Sequence, residues 1–231
     1  MSRGFGYHGF VNFSNAPERA PYLSKIRAVI LDYGNVISLP ADPEVIRRMA
    51  ELFGVTEERF RHIYGSFRHD YDRGTYSAAE YWKHIAHAAG REVSADEIEE
   101  LRKSDVAMWG RLNPDILLWA ERLRAAGFKT AILSNMHDDM VQHLRSNGEW
   151  TKRFDCLTLS SAIGMAKPEP EIFEHCLKCL GVNAEDAIFI DDSEPNIDAA
   201  LRAGISGIFA PSPEELKNTL SAIGFSPLPE V

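Results

Sequence analysis

The sequence predicts an α/β fold, in which a doubly wound, parallel Rossmann-like sheet carries an inserted all-helical cap. Short apolar runs rich in β-branched residues alternate with helical patterns, as in sheets that helices cover on both faces. A long helical stretch separates the first apolar run from the second. The expected strands are residues 28–31, 129–133, 156–159, 187–190 and 207–210. The expected parts of the chain are an N-terminal extension (1–24), a core (25–40 and 113–231) and a helical cap (41–112).

Residues suited to begin helices mark the predicted cap. Pro43 stands in a first turn, where its missing amide hydrogen costs nothing. Thr56 is an expected N-cap, and Ser77 and Ser94 open capping boxes, each with a glutamate three residues later. Apolar residues between these starts recur at helical spacing, which is typical of faces buried in a core.

Helix signals also surround the later strands. Asn113 and Pro114 begin a helix that ends near Gly127, in the usual order of N-cap, first-turn proline and terminal glycine. Ser212 begins the last helix with a capping box. Three further helices are expected over residues 138–145, 170–181 and 197–203. This alternation of strand and helix predicts that the strands pair in parallel.

Composition and charge exclude several classes of protein. The chain has 231 residues and a formal net charge of −9, which argues against nucleic acid as a partner because such binding needs basic surface. No apolar run is long enough to cross a membrane, and residues 1–24 lack the apolar core of a signal peptide. Three cysteines suggest no disulfide framework and a cytoplasmic location. We expect Cys176 and Cys179, on one helical face, to be buried apolar side chains rather than zinc ligands.

Polar residues follow the predicted strands at the positions where open α/β sheets bind ligands. An aspartate follows the first strand, and a serine and an asparagine follow the second. A lysine lies in a loop before a later helix, and two adjacent aspartates follow the fourth strand. In chain order these residues are Asp32, Ser134, Asn135, Lys167, Asp191 and Asp192. We expect them to meet in one site, because the carboxyl ends of parallel strands share one edge of the sheet.

This series resembles the haloacid dehalogenase superfamily of hydrolases, from residue 26 to about residue 211. The helical segment is similar to the cap of one branch, which closes over the site and selects the substrate. The resemblance implies hydrolysis of a small phosphorylated metabolite, with Asp32 as the nucleophile that forms an aspartyl-phosphate. Ser134 and the main-chain amide of Asn135 would hold phosphoryl oxygens, and Lys167 would neutralise the charge that grows on them.

Mg²⁺ is the cofactor implied by this interpretation, because it binds hard oxygen ligands, usually one or two carboxylates together with substrate phosphate. Asp32 and Asp192 are the expected carboxylate ligands, and the family pattern implies the main-chain carbonyl of Gly34 as a third. Asp191 is expected to orient these ligands without touching the metal. Relatives with Gly-Asp at the two positions keep only the second acid, which favours Asp192 as the ligand.

Gly34 departs from the pattern of the superfamily. Most of its phosphatases carry a second aspartate two residues after the nucleophile, where it acts as general acid and then general base. Such a group contributes about 10²–10⁴ in rate. The form Asp-x-Gly-Asn-Val is similar to a branch that includes bacterial sugar-1-phosphate phosphatases. We therefore expect a substrate whose leaving group needs little protonation, such as a sugar 1-phosphate.

Several other residues are candidates for the missing proton donor or for substrate contacts. His137 follows shortly after the predicted phosphate-binding residues, and His69 and Tyr71 in the predicted cap are alternatives. Arg68 and Arg73, also in the cap, are candidates to contact the substrate.

Two other functions compete with the phosphatase. A 2-haloacid dehalogenase uses the same aspartate attack without a metal, but such enzymes tend to have Asp-x-Tyr-Gly-Thr at the nucleophile and serine in place of the paired acids. A non-catalytic binding or regulatory protein would explain the loss at Gly34, but it would seldom keep Asp32, Lys167 and Asp192. A mutase is expected least, because it normally relies on the missing acid. The sequence therefore favours a Mg²⁺-dependent phosphatase without a nucleic-acid or membrane partner.

Overall fold

Five parallel strands form one sheet at the centre of the computed structural model, which describes residues 23–230. Their order across the sheet is β3-β2-β1-β4-β5, and every neighbouring pair is parallel. The strands are β1 (Ala28–Leu31), β2 (Lys129–Ser134), β3 (Cys156–Leu159), β4 (Ala187–Asp191) and β5 (Ser206–Phe209). The predicted α/β class with a parallel sheet is therefore confirmed. Most of the predicted N-terminal extension, residues 1–22, lies outside the described residues.

Five consecutive helices that follow β1, between it and α6, form what we call the helical cap. They are α1 (Pro43–Phe53), α2 (Glu57–Ser66), α3 (Arg68–Asp72), α4 (Ala78–Ala89) and α5 (Ala95–Trp109). The N-cap chemistry predicted from the sequence is present: Thr56 accepts from a first-turn amide, and Ser77 and Ser94 form reciprocal capping boxes. The cap has its own cluster of buried residues, in which Tyr81, Trp82 and Ile85 are fully buried.

The remaining helices cover the two faces of the sheet. They are α6 (Pro114–Ala125), α7 (Asp138–Asn147), α8 (Ser160–Ile163), α9 (Pro170–Leu180), α10 (Glu194–Arg202) and α11 (Pro213–Ile223). One apolar cluster joins the sheet to α6, α7 and α11, and a second joins it to α9 and α10. Every residue of β1 and β4 is buried, which explains why both strands are almost continuously apolar.

Several element boundaries differ from the prediction by one to three residues, as at β5, α7 and α10. Helix α10 begins at Glu194 rather than at residue 197, because Pro195 occupies its first turn, where no amide hydrogen is needed. Strand β5 ends at Phe209 rather than at residue 210. The short helix α8, directly after β3, had no signal in the sequence.

The prediction that no disulfide joins the three cysteines is wrong. Cys156 in β3 is bonded to Cys179 near the end of α9, with 6.0 Å between the Cα atoms. Cys176 is buried and free, as an apolar side chain would be, but Cys179 is exposed. The spacing of the two cysteines in α9 gave no sign of this pairing, because it depends on how α9 packs against β3.

A membrane-spanning helix is not found among the described residues, whose helices are all too short or too polar for that role.

We expect reduction of the disulfide to destabilise the protein. The bond closes a loop with a sequence separation of 23 residues, for which the chain-entropy model gives about 3 kcal/mol. Urea denaturation should show lower stability with dithiothreitol or in Cys179→Ser, and reductant should have no further effect on that variant. Three free thiols in the oxidised, denatured wild type would contradict the pairing.

Candidate active site

A cavity of about 220 Å³ lies at the carboxyl ends of the central strands, beneath the helical cap. Strand β1 lies between β2 and β4, so that the residues following these three strands meet at one edge of the sheet. The lining residues from this edge include Asp32, Gly34, Asn35, Ser134, Asn135, Lys167, Asp192 and Asn196. Those from the cap are Tyr64, Arg68, Asp72 and Trp109. A larger groove of about 480 Å³ between α5 and α7 contains none of the predicted site residues.

A tight turn after β1 holds Asp32 in place. The amide of Tyr33 donates to Asp32 Oδ1 at 2.7 Å, and the amide of Ser38 closes the turn on the carbonyl of Tyr33, also at 2.7 Å. Asn35 has a left-handed backbone with φ of 56°, which asparagine tolerates better than most residues. Its side-chain amide donates to Asp192 Oδ2 at 2.7 Å. The turn therefore positions carboxylates that follow two different strands.

The ammonium of Lys167 joins two of the acids. Its Nζ atom lies 2.8 Å from Asp32 Oδ1 and 2.6 Å from Asp191 Oδ2. Lys167 is only 2% exposed. Burial opposes its charge, but the two carboxylates outweigh burial and raise the pKa of Lys167 above its usual value. Lys167 therefore holds a fixed positive charge next to Asp32.

Asp191 is fully buried and surrounded by donors, whereas Asp192 borders the cavity. Besides Lys167, Asp191 accepts from the amide of Ser193 at 2.8 Å and from Asn196 Nδ2 at 3.1 Å. That Asp191 orients the site while Asp192 is a metal ligand stays a prediction, with which these contacts are compatible.

Asn135 anchors the loop that carries Lys167. Its side-chain amide donates to the carbonyl of Lys167 at 2.8 Å and accepts from the amide of Lys167 at 2.7 Å. The Asn135 side chain is therefore occupied by the loop, which leaves the main-chain amide for the phosphate-binding role predicted from the sequence. Ser134 is 2% exposed and lines the cavity.

The three aspartates form a cluster suited to a cation. One carboxylate oxygen from each of Asp32, Asp191 and Asp192 lies within 4.8 Å of the others. Burial, followed by the neighbouring acids, raises the pKa of Asp32 to about 7, and burial also raises the pKa of Asp192. Lys167 alone does not balance three carboxylates, and such oxygen donors are the ligands that Mg²⁺ prefers. The residues therefore fit a hard divalent cation.

Gly34 lines the cavity, and its backbone conformation is one that does not require glycine. Its φ and ψ are −63° and 130°, which any residue can adopt. A Cβ atom added there would lie 3.8 Å from Cζ3 of Trp109, an ordinary van der Waals distance. The loss of the family's acid at this position is therefore a chemical difference that the fold does not impose.

The candidate replacements for that acid lie outside the cavity lining. His137 is fully buried and stacks on Tyr71 with 4.7 Å between the ring centroids. The hydroxyl of Tyr71 donates to Asp139 at 3.3 Å. The side chain of His69 is 52% exposed and lies 3.9 Å from Glu169. The proposal that one of these three side chains replaces the acid is not supported, because none of them lines the cavity that contains Asp32.

The two arginines singled out in the cap have different positions. Arg68 lines the cavity, whereas Arg73 pairs with Glu169 at 2.7 Å and joins the cap to the loop before α9. Sequence reasoning missed the other cap residues of the cavity. Tyr64 belongs to an apolar helical pattern, and Trp109 ends α5, so neither carries a signal that separates it from a core residue.

Comparison with known proteins finds relatives among hydrolases. The sequence profile of haloacid dehalogenase-like hydrolases matches residues 26–204. Acyl-CoA dehydrogenase family member 10 of Mus musculus is 35% identical over 111 residues, which are 46% of this chain but 10% of that protein. (S)-2-haloacid dehalogenase 4A of Burkholderia cepacia is 22% identical over 80% of this chain and 83% of its own length. D-ribitol-5-phosphate phosphatase of Bacteroides thetaiotaomicron is 25% identical over 78% of this chain and 89% of its own length.

A solved structure shares the same architecture. A haloacid dehalogenase family enzyme from Bacteroides thetaiotaomicron, crystallised as its magnesium complex, superposes with a TM-score of 0.63 and 27% identity. The likeness covers 79% of this chain and 92% of that chain.

We expect Mg²⁺ to bind with the help of Asp192. Titration calorimetry should show that Asp192→Asn weakens Mg²⁺ binding by about tenfold or more, because the loss of one ligand charge weakens a carboxylate site. Asp198→Asn is the matched control, since Asp198 lies on the exposed side of α10 and loses the same charge. Equal Mg²⁺ affinity in the two variants would contradict the assignment of Asp192.

Proposed function

The chain belongs to the haloacid dehalogenase-like hydrolases, and we propose that it is a Mg²⁺-dependent phosphatase of a small phosphorylated metabolite. The observation that carries the proposal is the cluster of Asp32, Asp191 and Asp192 around the ammonium of Lys167. Phosphoryl transfer to an aspartate requires a nucleophilic carboxylate, a fixed positive charge and a pair of carboxylates that hold a cation.

Asp32 begins the proposed reaction as the nucleophile. One carboxylate oxygen of Asp32 forms a bond to phosphorus while the bond from phosphorus to the ester oxygen breaks, and the leaving alkoxide takes up a proton from solvent water. Water then attacks the aspartyl-phosphate. Its oxygen bonds to phosphorus as the bond to Asp32 breaks, which restores the carboxylate and releases phosphate together with the protons of the water.

The other site residues stabilise the phosphoryl group during these steps. Asp32, Asp192 and the carbonyl of Gly34 would hold Mg²⁺, which supplies positive charge to the phosphoryl oxygens when it is bound. Ser134 and the amide of Asn135 donate hydrogen bonds to those oxygens. Lys167 contributes its fixed charge to the same oxygens.

Relatives support a phosphatase and also keep the dehalogenase as a second candidate. D-ribitol-5-phosphate phosphatase and (S)-2-haloacid dehalogenase 4A match this chain over similar lengths. The acidic cluster favours the phosphatase, because without a metal the single ammonium of Lys167 would face three neighbouring carboxylates.

Gly34 is expected to restrict the leaving group. Without an acid two residues after Asp32, an alkoxide is expelled slowly, whereas the anomeric oxygen of a sugar 1-phosphate needs less protonation. We therefore propose a preference for anomeric phosphates over ordinary alkyl phosphates, and a clear preference for the latter would contradict it.

Hydrolysis of p-nitrophenyl phosphate tests the proposed function. Nitrophenolate leaves without a proton, so the assay depends on the nucleophile and the metal alone. We expect turnover with Mg²⁺, none with EDTA, and a loss of about 10³-fold or more in Asp32→Asn. A folded wild type without turnover would shift the assignment to the dehalogenase, for which release of halide from a 2-haloacid is the assay.

Gly34→Asp should restore the missing acid. The backbone and the distance to Trp109 leave room for the new Cβ atom. We expect hydrolysis of β-glycerophosphate to increase by about tenfold or more and that of p-nitrophenyl phosphate to change far less, because only the alkoxide needs a proton. Gly34→Asn is the control, since it has the same shape without the acid. An equal gain in both variants would contradict a role in proton transfer.

A further inference from the structure

We propose that four cap residues select a small, neutral, hydroxyl-bearing leaving group and reject one that carries a carboxylate. We call Tyr64, Arg68, Asp72 and Trp109 the cap wall, since they line the side of the cavity formed by the cap. The inference rests on the phosphatase proposed above and assigns the class of its substrate.

Arg68 offers little net positive charge to a ligand. Its Nε atom lies 2.9 Å from Asp72 Oδ1 and 3.0 Å from Oδ2, and its Nη1 atom lies 3.0 Å from Asp105 Oδ2. Asp105 is fully buried behind the cap wall and also accepts from the hydroxyl of Tyr64 at 2.6 Å. Two carboxylates therefore already share the guanidinium, which is bound in a fixed geometry.

Within residues 23–230, no lysine or second arginine pairs with Asp72 or Asp105 to restore a positive charge. His137 Nε2 lies 3.4 Å from Asp105 Oδ2, but burial lowers the pKa of His137 and so disfavours a charged ring. Arg102 pairs instead with Asp139, which also contacts Tyr71. One guanidinium against two carboxylates leaves this side of the cavity with a net negative charge. A carboxylate on the leaving group would meet that charge at low dielectric.

Asp72 accepts hydrogen bonds and repels anions. It is 6% exposed and borders the cavity, and Arg68 is the donor to its side chain among the described residues. A carboxylate has about four acceptor sites, so a ligand hydroxyl can donate to it, whereas a ligand carboxylate has no hydrogen to give. The charge of the cap wall therefore favours a phosphate ester whose leaving group bears a hydroxyl over one whose leaving group bears a carboxylate.

The volume of the cavity and the ring of Trp109 also restrict the substrate. The cavity of about 220 Å³ must also hold the phosphoryl group, and it is smaller than the roughly 300–1,000 Å³ of drug-sized sites. The indole of Trp109 donates to the hydroxyl of Tyr64 at 3.3 Å, so its ring is held as a wall against which the CH groups of a polyol or sugar can pack. A nucleoside or a lipid chain would exceed the available space.

Competition against p-nitrophenyl phosphate at fixed free Mg²⁺ tests the inference. Glycerol 3-phosphate and 3-phosphoglycerate are matched probes, because both have three carbons and differ mainly in a CH₂OH or a carboxylate. We expect the inhibition constant of 3-phosphoglycerate to be about tenfold higher than that of glycerol 3-phosphate. Binding competition does not depend on protonation of a leaving group, so the absent acid at Gly34 does not enter.

The variant Asp72→Asn tests whether the cap wall causes the difference in inhibition constant between the two probes. It should reduce the difference between the two probes to about threefold or less by lowering the inhibition constant of 3-phosphoglycerate, whereas a general loss of structure would raise the inhibition constants of both probes. Asp70→Asn is the matched control: it removes the same charge from the same helix but lies outside the cavity lining, and it should keep the tenfold difference.

The outcomes separate this inference from the proposed function. If the wild type does not hydrolyse p-nitrophenyl phosphate with Mg²⁺, the phosphatase itself is wrong. If it does, and 3-phosphoglycerate binds as tightly as glycerol 3-phosphate, the inference alone is overturned. A difference that persists unchanged in Asp72→Asn also overturns it. Should Asp72→Asn fail to fold, the ratio in the wild type still decides.

Discussion

The buried ammonium of Lys167 is the interaction on which the rest of the site depends. It lies within 3 Å of Asp32 and Asp191, which follow and end two adjacent strands. Removing either acid from water without a partner would be costly. The lysine makes their burial possible, and Asn135 in turn fixes its main chain. The charge of Lys167 thus depends on contacts among four segments that are distant in sequence.

The sequence predicted this edge of the sheet well because two independent signals coincide there. Strands buried on both faces must be apolar, so the first polar residue marks the strand end. Parallel strands place their ends together, so the positions of Asp32, Ser134 and Asp191 follow from strand order alone. The sequence did not reveal that the side chain of Asn135 serves the loop of Lys167, because that contact depends on the path of a loop.

The cap was predicted less completely, and the reason is physical. A helix start or an apolar face is encoded within a few neighbouring residues, whereas the surroundings of Arg68 are not. Asp72 is one turn away from Arg68, but Asp105 is 37 residues away on another helix. The burial of His137 against Tyr71 joins a core loop to the cap and is likewise set by tertiary packing. The charge of the cavity could therefore be assessed only from the structure.

The bond between Cys156 and Cys179 has a topological consequence for the loop between them. Residues 156–179 form a covalent ring that contains Lys167 and the start of α9. A single backbone break inside this ring would leave both fragments attached to each other. The segment that carries the ammonium would then stay covalently attached to both β3 and α9, and the cut chain would separate into two pieces only after reduction.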